Sequence, residues 1–304
     1  MQIHPNTKTA WKIVFLTFFV VAAVVVAMNN PFATSQEEQV VFTQFDGNDF
    51  ELFVMNVDGT GIVQLTDNDT NDWAGAWSPD KSIIAFRSER DGNARIFLMN
   101  PDGSNQRAVT PFDITIGGPE YTNSPAWSPA GTQLAFEAYV NGNWDIYVMN
   151  AEGGSMTRVT FDPAMDSGPS WSPDGRHIAF HSLRDNYFDI YVAHMARGYV
   201  QRLTFQPSTM DVFPVWSPDG QNIIFHSERD GNSEIYIMGS NGENQHALTN
   251  NAALDRVPRF NSDGSEILFR SERNGDSELF IMNVDGSDVR AITNNGSRDM
   301  HPDW

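Results

Sequence analysis

The chain has 304 residues, with 39 acidic and 19 basic side chains and a formal net charge of −20. That charge repels phosphate backbones and anionic membrane surfaces, which argues against a nucleic-acid partner. The absence of cysteine excludes disulfide scaffolds, thiolate metal sites and cysteine nucleophiles. Hydrophobic residues at 40% rule out global disorder, and 23 Gly with 16 Pro point to tight turns rather than long helices.

Residues 13–28 read IVFLTFFVVAAVVVAM, without a charge, after Lys8 and Lys12. By the positive-inside rule the first 12 residues stay in the cytoplasm and the chain beyond Met28 is exported. A 16-residue apolar run is about 24 Å long as a helix, against a bilayer core of about 30 Å. It fits a signal anchor or, equally, the apolar region of a signal peptide cleaved after Ala27. The first reading tethers the protein to the outer side of the cytoplasmic membrane, and the second releases it. Residues 29–38 read as a linker.

From residue 39 to Trp304 one unit recurs six times. W-S-P occurs at Trp77, Trp127, Trp171 and Trp216; Phe260 takes the Trp place next, and Trp304 follows, with spacings of 50, 44, 45, 44 and 44. An apolar pair ending in Phe closes at Phe42, Phe86, Phe136, Phe180, Phe225 and Phe269. A segment of the type I-Y-x-M-N follows, and then a closing pair at Thr66, Thr110, Thr160, Thr204, Thr249 and Thr293. Within each unit the apolar pattern alternates with period two on both faces, and Asp-Gly or Asn-Gly turns separate the runs. Four antiparallel strands, A to D, of this kind make a propeller blade. HPDW at 301–304 supplies a strand A, and residues 40–66 supply strands B, C and D. Together they complete a sixth blade and close the ring. The predicted fold is an all-β six-bladed propeller after one N-terminal apolar helix.

The repeat D-x-x-P-x-W-S-P-D-G, then I-A-F-x-S-x-R-D-G-N, I-Y-x-M-N and L-T, resembles the TolB-like propellers, relatives of the WD-repeat class. The clearest copies are 166–182 and 211–238. The resemblance covers the propeller part, and the α/β domain that stands before the propeller in TolB has no counterpart in it. It implies a binding propeller outside the cytoplasmic membrane. The propellers of prolyl-oligopeptidase-like enzymes are also similar, but G-x-S-x-G, H-E-x-x-H and phosphate-loop motifs are missing from this sequence.

The D–A loops and B–C hairpins share one end of a propeller, here called the top. Five residues before each Trp or Phe landmark stand Asp72, Thr122, Asp166, Asp211, Asp255 and Asp299. Five recurring carboxylates suggest a ring at the channel mouth, with calcium at Asp166, Asp211, Asp255 and Asp299 as the expected cation. The same aspartates also suit a plainer role, shaping their own turns. The position after each strand-B Phe holds Thr43, Arg87, Glu137, His181, His226 and Arg270, and His301 lies beside Asp299. His181, His226 and His301 near carboxylates are candidate ligand-binding groups. Glu51, Asp145, Asp189, Glu234 and Glu278 precede the I-Y pairs, and Arg184, Arg229 and Arg273 five residues earlier suggest ion pairs across the B–C hairpin. Two departures from the repeat mark surface loops: an insertion at 111–122 and the hairpin 193–199, AHMARGY, which lacks the usual turn.

The expected function is a non-enzymatic protein- or peptide-binding or scaffolding module that uses the acidic top face, with calcium at the channel mouth. The alternative is a metal-dependent glycan lyase or hydrolase with His181 and His226 in the funnel.

Overall fold

The computed structural model describes residues 38–116 and 125–304. The apolar segment 13–28, all but the last residue of the linker, and Thr122 lie outside the described residues. Six antiparallel sheets form the blades, and no helix occurs among the described residues. Blade 1 pairs Asp299–Asp303 with Gln39–Phe45, which pairs in turn with Phe50–Asn56 and Val63–Gln64. The ring is therefore closed by strand A from one end of the sequence and strands B to D from the other, as the repeat predicts.

The other blades repeat this order. Strand A is Asp72–Trp77, Asp166–Trp171, Asp211–Trp216 and Asp255–Phe260 in blades 2, 4, 5 and 6. In blade 3 it is split: Thr115–Ile116 and Ala126–Trp127 both pair with Gln133–Val140. The first part of the insertion thus occupies the upper half of that strand. Strand D is short in every blade, two to four residues, which keeps the outer edge from offering a long row of unpaired backbone groups.

Each landmark has a physical reason. The strand-B phenylalanines are all buried, and five of them meet the strand-C aromatic at 5.7–6.0 Å between ring centroids, as Phe180 does with Tyr191. Both sheet faces are apolar because each blade is sandwiched between two others. The closing threonine fastens strand D to strand C. In all six blades its Oγ1 accepts a backbone N–H of strand C, from Leu52, Ile96, Ile146, Ile190, Ile235 or Leu279, at 2.9–3.0 Å.

Closure rests on a single strand of five residues, Asp299–Asp303. Deleting residues 299–304 bares the edge of Gln39–Phe45, which is buried along most of its length. The shortened protein is expected to lose cooperative thermal unfolding and to associate, as read by calorimetry and by size-exclusion chromatography with light scattering.

Candidate functional site on the propeller top

Each recurring aspartate is the first residue of strand A and is fully buried. In four blades it meets an arginine from the tip of its own B–C hairpin. The pairs are Arg90–Asp72 at 2.5 Å, Arg184–Asp166 at 2.7 Å, Arg229–Asp211 at 2.8 Å and Arg273–Asp255 at 2.8 Å. Each of these arginines also donates its Nε–H to the serine two residues before it, at 2.8–2.9 Å. Its guanidinium lies over the strand-B phenylalanine and the strand-C aromatic, as Arg229 lies 5.6 Å from Phe225 and 4.5 Å from Tyr236. The arginines therefore do not pair with the strand-C acids, as their spacing suggested. They cross the hairpin to strand A.

The strand-C acids are satisfied differently, and side-chain length decides how. Glu51, Glu234 and Glu278 reach the backbone N–H of Asn68, Asn251 and Asn295 in the D–A loop at 2.7–3.0 Å. Asp145 and Asp189 are one methylene shorter and take a strand-D arginine instead, Arg158 at 2.8 Å and Arg202 at 2.7 Å. In blade 2 Arg95 stands in the acid's place and donates its Nε–H to the Thr110 carbonyl at 3.0 Å.

Asp299 is the exception among the aspartates. Blade 1 carries Asp46, and blade 3 Val140, where blades 2, 4, 5 and 6 place the arginine. Asp299 accepts from Gln44 Nε2 at 2.7 Å and Asn295 Nδ2 at 3.1 Å instead. Burial, with Glu278 close by, pushes its pKa up to about 7. Glu51, on the other seam of blade 1, is also raised to about 7, by burial and by Asp72 and Asp49.

His181 and His226 are enclosed, and His301 is half-buried. His181 and His226 pack on either side of Phe213, at 5.4 and 5.1 Å between centroids, and Phe188 lies 5.1 Å from His181. Burial drives His181 and His301 down to about 3 and His226 well below its ordinary value, so all three are neutral at physiological pH. Position sets their role. Residue three of strand A is a bulge with positive φ: Ala74 at 56°, Gly168 at 64°, Phe213 at 56°, Val257 at 53° and His301 at 47°. The bulge turns its N–H toward the preceding blade. Thr43 Oγ1 accepts from Ala74 at 2.9 Å, Glu137 Oε2 from Gly168 at 3.3 Å and His181 Nδ1 from Phe213 at 3.4 Å. Among the described residues no three carboxylate or imidazole side chains lie close enough to share a metal ion.

Two features escaped the pattern of recurrences. The first is an axial cavity of about 250 Å³ at the far end of the strand-A row, lined by Trp77, Trp127, Trp171, Trp216 and Trp304 and crossed by an Arg259–Asp303 contact of 3.5 Å. The sequence shows those tryptophans only as a recurring landmark at the end of strand A, with nothing to say that they line one cavity. The second is a row of exposed phenylalanines on the top: Phe112, Phe161 and Phe205, 60–71% exposed, on the loops after blades 2, 3 and 4. Arg95, Arg158 and Arg202 lie 4.8–5.9 Å from their rings. Blades 1, 5 and 6 carry Asp67, Asn250 and Asn294 after the same threonine. The signal was readable within two residues of the closing threonine, since Phe161 and Phe205 follow it directly and Phe112 follows Pro111. Tyr139, Leu183 and Tyr187, also exposed, lie on the B–C hairpins of blades 3 and 4.

This architecture defines a six-bladed propeller of four-stranded blades whose seams are tied by buried polar side chains. The TolB beta propeller domain matches residues 115–212 and 208–304, and the chain belongs to that family. Among solved structures it is similar to TolB from Acinetobacter baumannii, with 25% identity and a TM-score of 0.78 over 88% of this chain and 66% of that one. It is also similar to a putative TolB from Agrobacterium tumefaciens, with 24% identity and a TM-score of 0.69 over 84% of this chain and 88% of the other. An oligogalacturonate lyase from Vibrio parahaemolyticus shares the fold at 13% identity and a TM-score of 0.59, covering 84% of this chain and 74% of that one. A dipeptidyl-peptidase 5 from Porphyromonas gingivalis is 44% identical over 46 residues, which is 15% of this chain and 7% of that relative.

Removing Arg229 leaves Asp211 buried without its cation, a change that costs about 3–5 kcal/mol in comparable pairs. Arg229→Ala is expected to lower the melting temperature sharply, and Asp211→Asn in the same chain to restore part of it, in a double-mutant thermal series. For Asp299 the sign runs the other way from an ordinary salt-bridged acid. The folded state keeps a proton that the unfolded chain gives up from about pH 4, so stability declines as pH rises from there to about 7. Asp299→Asn is expected to raise the melting temperature at pH 8 and to change it little at pH 4.

Proposed function

We propose that this chain is a non-enzymatic, extracytoplasmic binding module that holds a protein or peptide partner on its top face. The observation that carries the proposal is the phenylalanine row. Three rings within two residues of the closing threonine in consecutive blades, Phe112 after Pro111 and Phe161 and Phe205 directly after theirs, are exposed beside arginines, and Asp113 and Asp162 follow two of them directly. Exposed aromatic surface of this kind marks interaction sites. Nearby arginines are engaged with carboxylates of the same blades, Arg95 with Asp91, Arg158 with Asp145 and Arg202 with Asp185 and Asp189, so Asp113 and Asp162 give the surface its sign. The partner that suits it is apolar with basic flanks.

Export follows from the lysines before the apolar segment 13–28, and the TolB resemblance points the same way. Whether that segment anchors or is cleaved does not alter the face presented. Calcium belongs to this reading at blade 1, where Asp299 has no arginine; the carboxylates of Asp166, Asp211 and Asp255 would have to leave theirs. The alternative, a lyase or hydrolase in the funnel, is not favoured, since His181 and His226 are enclosed by phenylalanines rather than open to a substrate.

The test compares the full chain with the Phe112→Ser, Phe161→Ser, Phe205→Ser variant in chemical cross-linking within the cell envelope. All three side chains are exposed, so folding should survive, as thermal unfolding checks. Loss of a specific cross-linked partner in the variant supports the reading. An unchanged set of partners overturns it. A calcium titration of the same protein, with Asp299→Asn as control, is expected to raise the melting temperature only where Asp299 is present.

A further inference from the structure

The end of the propeller opposite the proposed docking face carries grooves between blades, and one of them departs from the others. Between blades 4 and 5 a groove of about 330 Å³, within the range of small-ligand sites, is walled on one side by Trp216 and on the other by His177 and His194. The two imidazoles meet edge to face at 4.6 Å, and His177 lies nearly parallel to Trp216 at 6.2 Å. Asp174 and Asp219 stand at its two lips, one from each blade. Each is held ionised by the hydroxyl of the serine two residues before it, Ser172 or Ser217, at 2.5 Å. The corresponding groove between blades 2 and 3 has Ile83, Leu98 and Ala130 where this one has His177, Val192 and Asp219.

The protein itself shows what such a tryptophan and such lips accept. Four residues after the strand-A aromatic the chain turns through positive φ, and Gly131, Gly175, Gly220 and Gly264 fill that place in blades 3 to 6. Blade 2 has Lys81 there, at φ 60°. Its ammonium lies 5.3 Å from the centroid of Trp77, in the field of Asp303 and Glu38. At the seam of blades 4 and 5 Gly220 stands in the lysine's place and the indole remains; Ser170 and Arg176 replace Asp303 and Glu38, and the two carboxylates there, Asp174 and Asp219, come from other positions of the repeat. A Cβ on Gly220 would meet Pro173 Cγ at 3.1 Å, a tight contact, so the glycine lets the turn pack closely on the proline of the preceding blade and leaves the groove without the side chain that Lys81 extends over its indole. His194 is held below its ordinary pKa by burial and by His177.

We infer that the groove between Trp216, His177 and His194 is a binding site for an organic ammonium group, which takes the place that Lys81 fills at the seam of blades 1 and 2. The cation lies against the indole, and Asp174 and Asp219 compensate its charge. Lysine side chains and quaternary headgroups share this chemistry. The site is independent of the top face.

Isothermal titration of the full chain with N-α-acetyl-lysine amide, choline and the uncharged N-α-acetyl-norleucine amide tests the inference. One equivalent of an ammonium ligand is expected to bind, and the norleucine amide is not. Preference for the lysine amide identifies a polypeptide side chain, and preference for choline a headgroup; both uphold the ammonium assignment. Gly220→Lys, which installs the internal cation, is expected to abolish binding. Asp174→Asn with Asp219→Asn is expected to weaken it about tenfold. Trp216→Phe follows the residue that blade 6 carries naturally and is expected to weaken binding without unfolding, should Gly220→Lys fail to fold. No saturable heat from either cation, equal binding of the norleucine amide, or affinity unchanged in the carboxylate and tryptophan variants overturns it.

Discussion

The buried contact between the first residue of strand A and the arginine at the tip of the B–C hairpin organises four of the six blades. Strand A is the innermost strand, and its start must be fixed if the D–A loop is to present anything. A carboxylate with no exposed surface would be costly alone. The arginine answers it with a charge-assisted hydrogen bond, a serine acceptor for its own Nε–H, and two aromatic faces for its plane. Four side chains from strands A, B and C are thereby held at one point. Lysine, a point charge without a plane, would lose the stacking and the second hydrogen bond.

Blades must also be joined to one another, and that task falls to the strand-A bulge. Residues such as Phe213 and Val257 at positive φ carry a backbone strain of order 1–3 kcal/mol each. Recurrence of the bulge in five blades shows that the surroundings hold it. Its N–H crosses the seam to a side chain of the preceding blade, which explains why the position after the strand-B phenylalanine is polar yet chemically various: threonine, glutamate and histidine all accept a hydrogen bond. A set of residues that looks like a ligand cluster is in this respect a set of alternative acceptors. The enclosure of His181 and His226 by Phe188 and Phe213 follows from the same seam.

A repeat protein spends its recurring residues on the fold, so function is better sought where the copies differ. The phenylalanines after three of the six closing threonines, the missing arginine beside Asp299, the split strand A of blade 3 and the histidine groove beside Gly220 are all such differences. Blade 1 stands apart electrostatically, with carboxylates on both of its seams raised by burial and neighbouring acids, and its hairpin carries Asp46 where four other blades carry an arginine. It is also the blade that closes the ring.

The sequence by itself determined the number of blades, the strand order and the closure, since period-two runs and Asp-Gly turns at a spacing near 44 residues act locally and repeat. Asp72, Asp166, Asp211, Asp255 and Asp299 were legible as one structural position for the same reason. What they touch was not. Arg184 stands five residues before Asp189 but 18 after Asp166, and only the folding of strand A onto strand B brings the distant carboxylate to 2.7 Å. Tertiary structure likewise decided that His181 and His226 are neutral and enclosed, that the phenylalanines of blades 2 to 4 face outward, and that a lysine covers the indole at one seam and a glycine leaves it uncovered at another. Periodicity reports which face of a strand is apolar. Which charges meet depends on distances across strands and seams, and those exist only once the ring is closed.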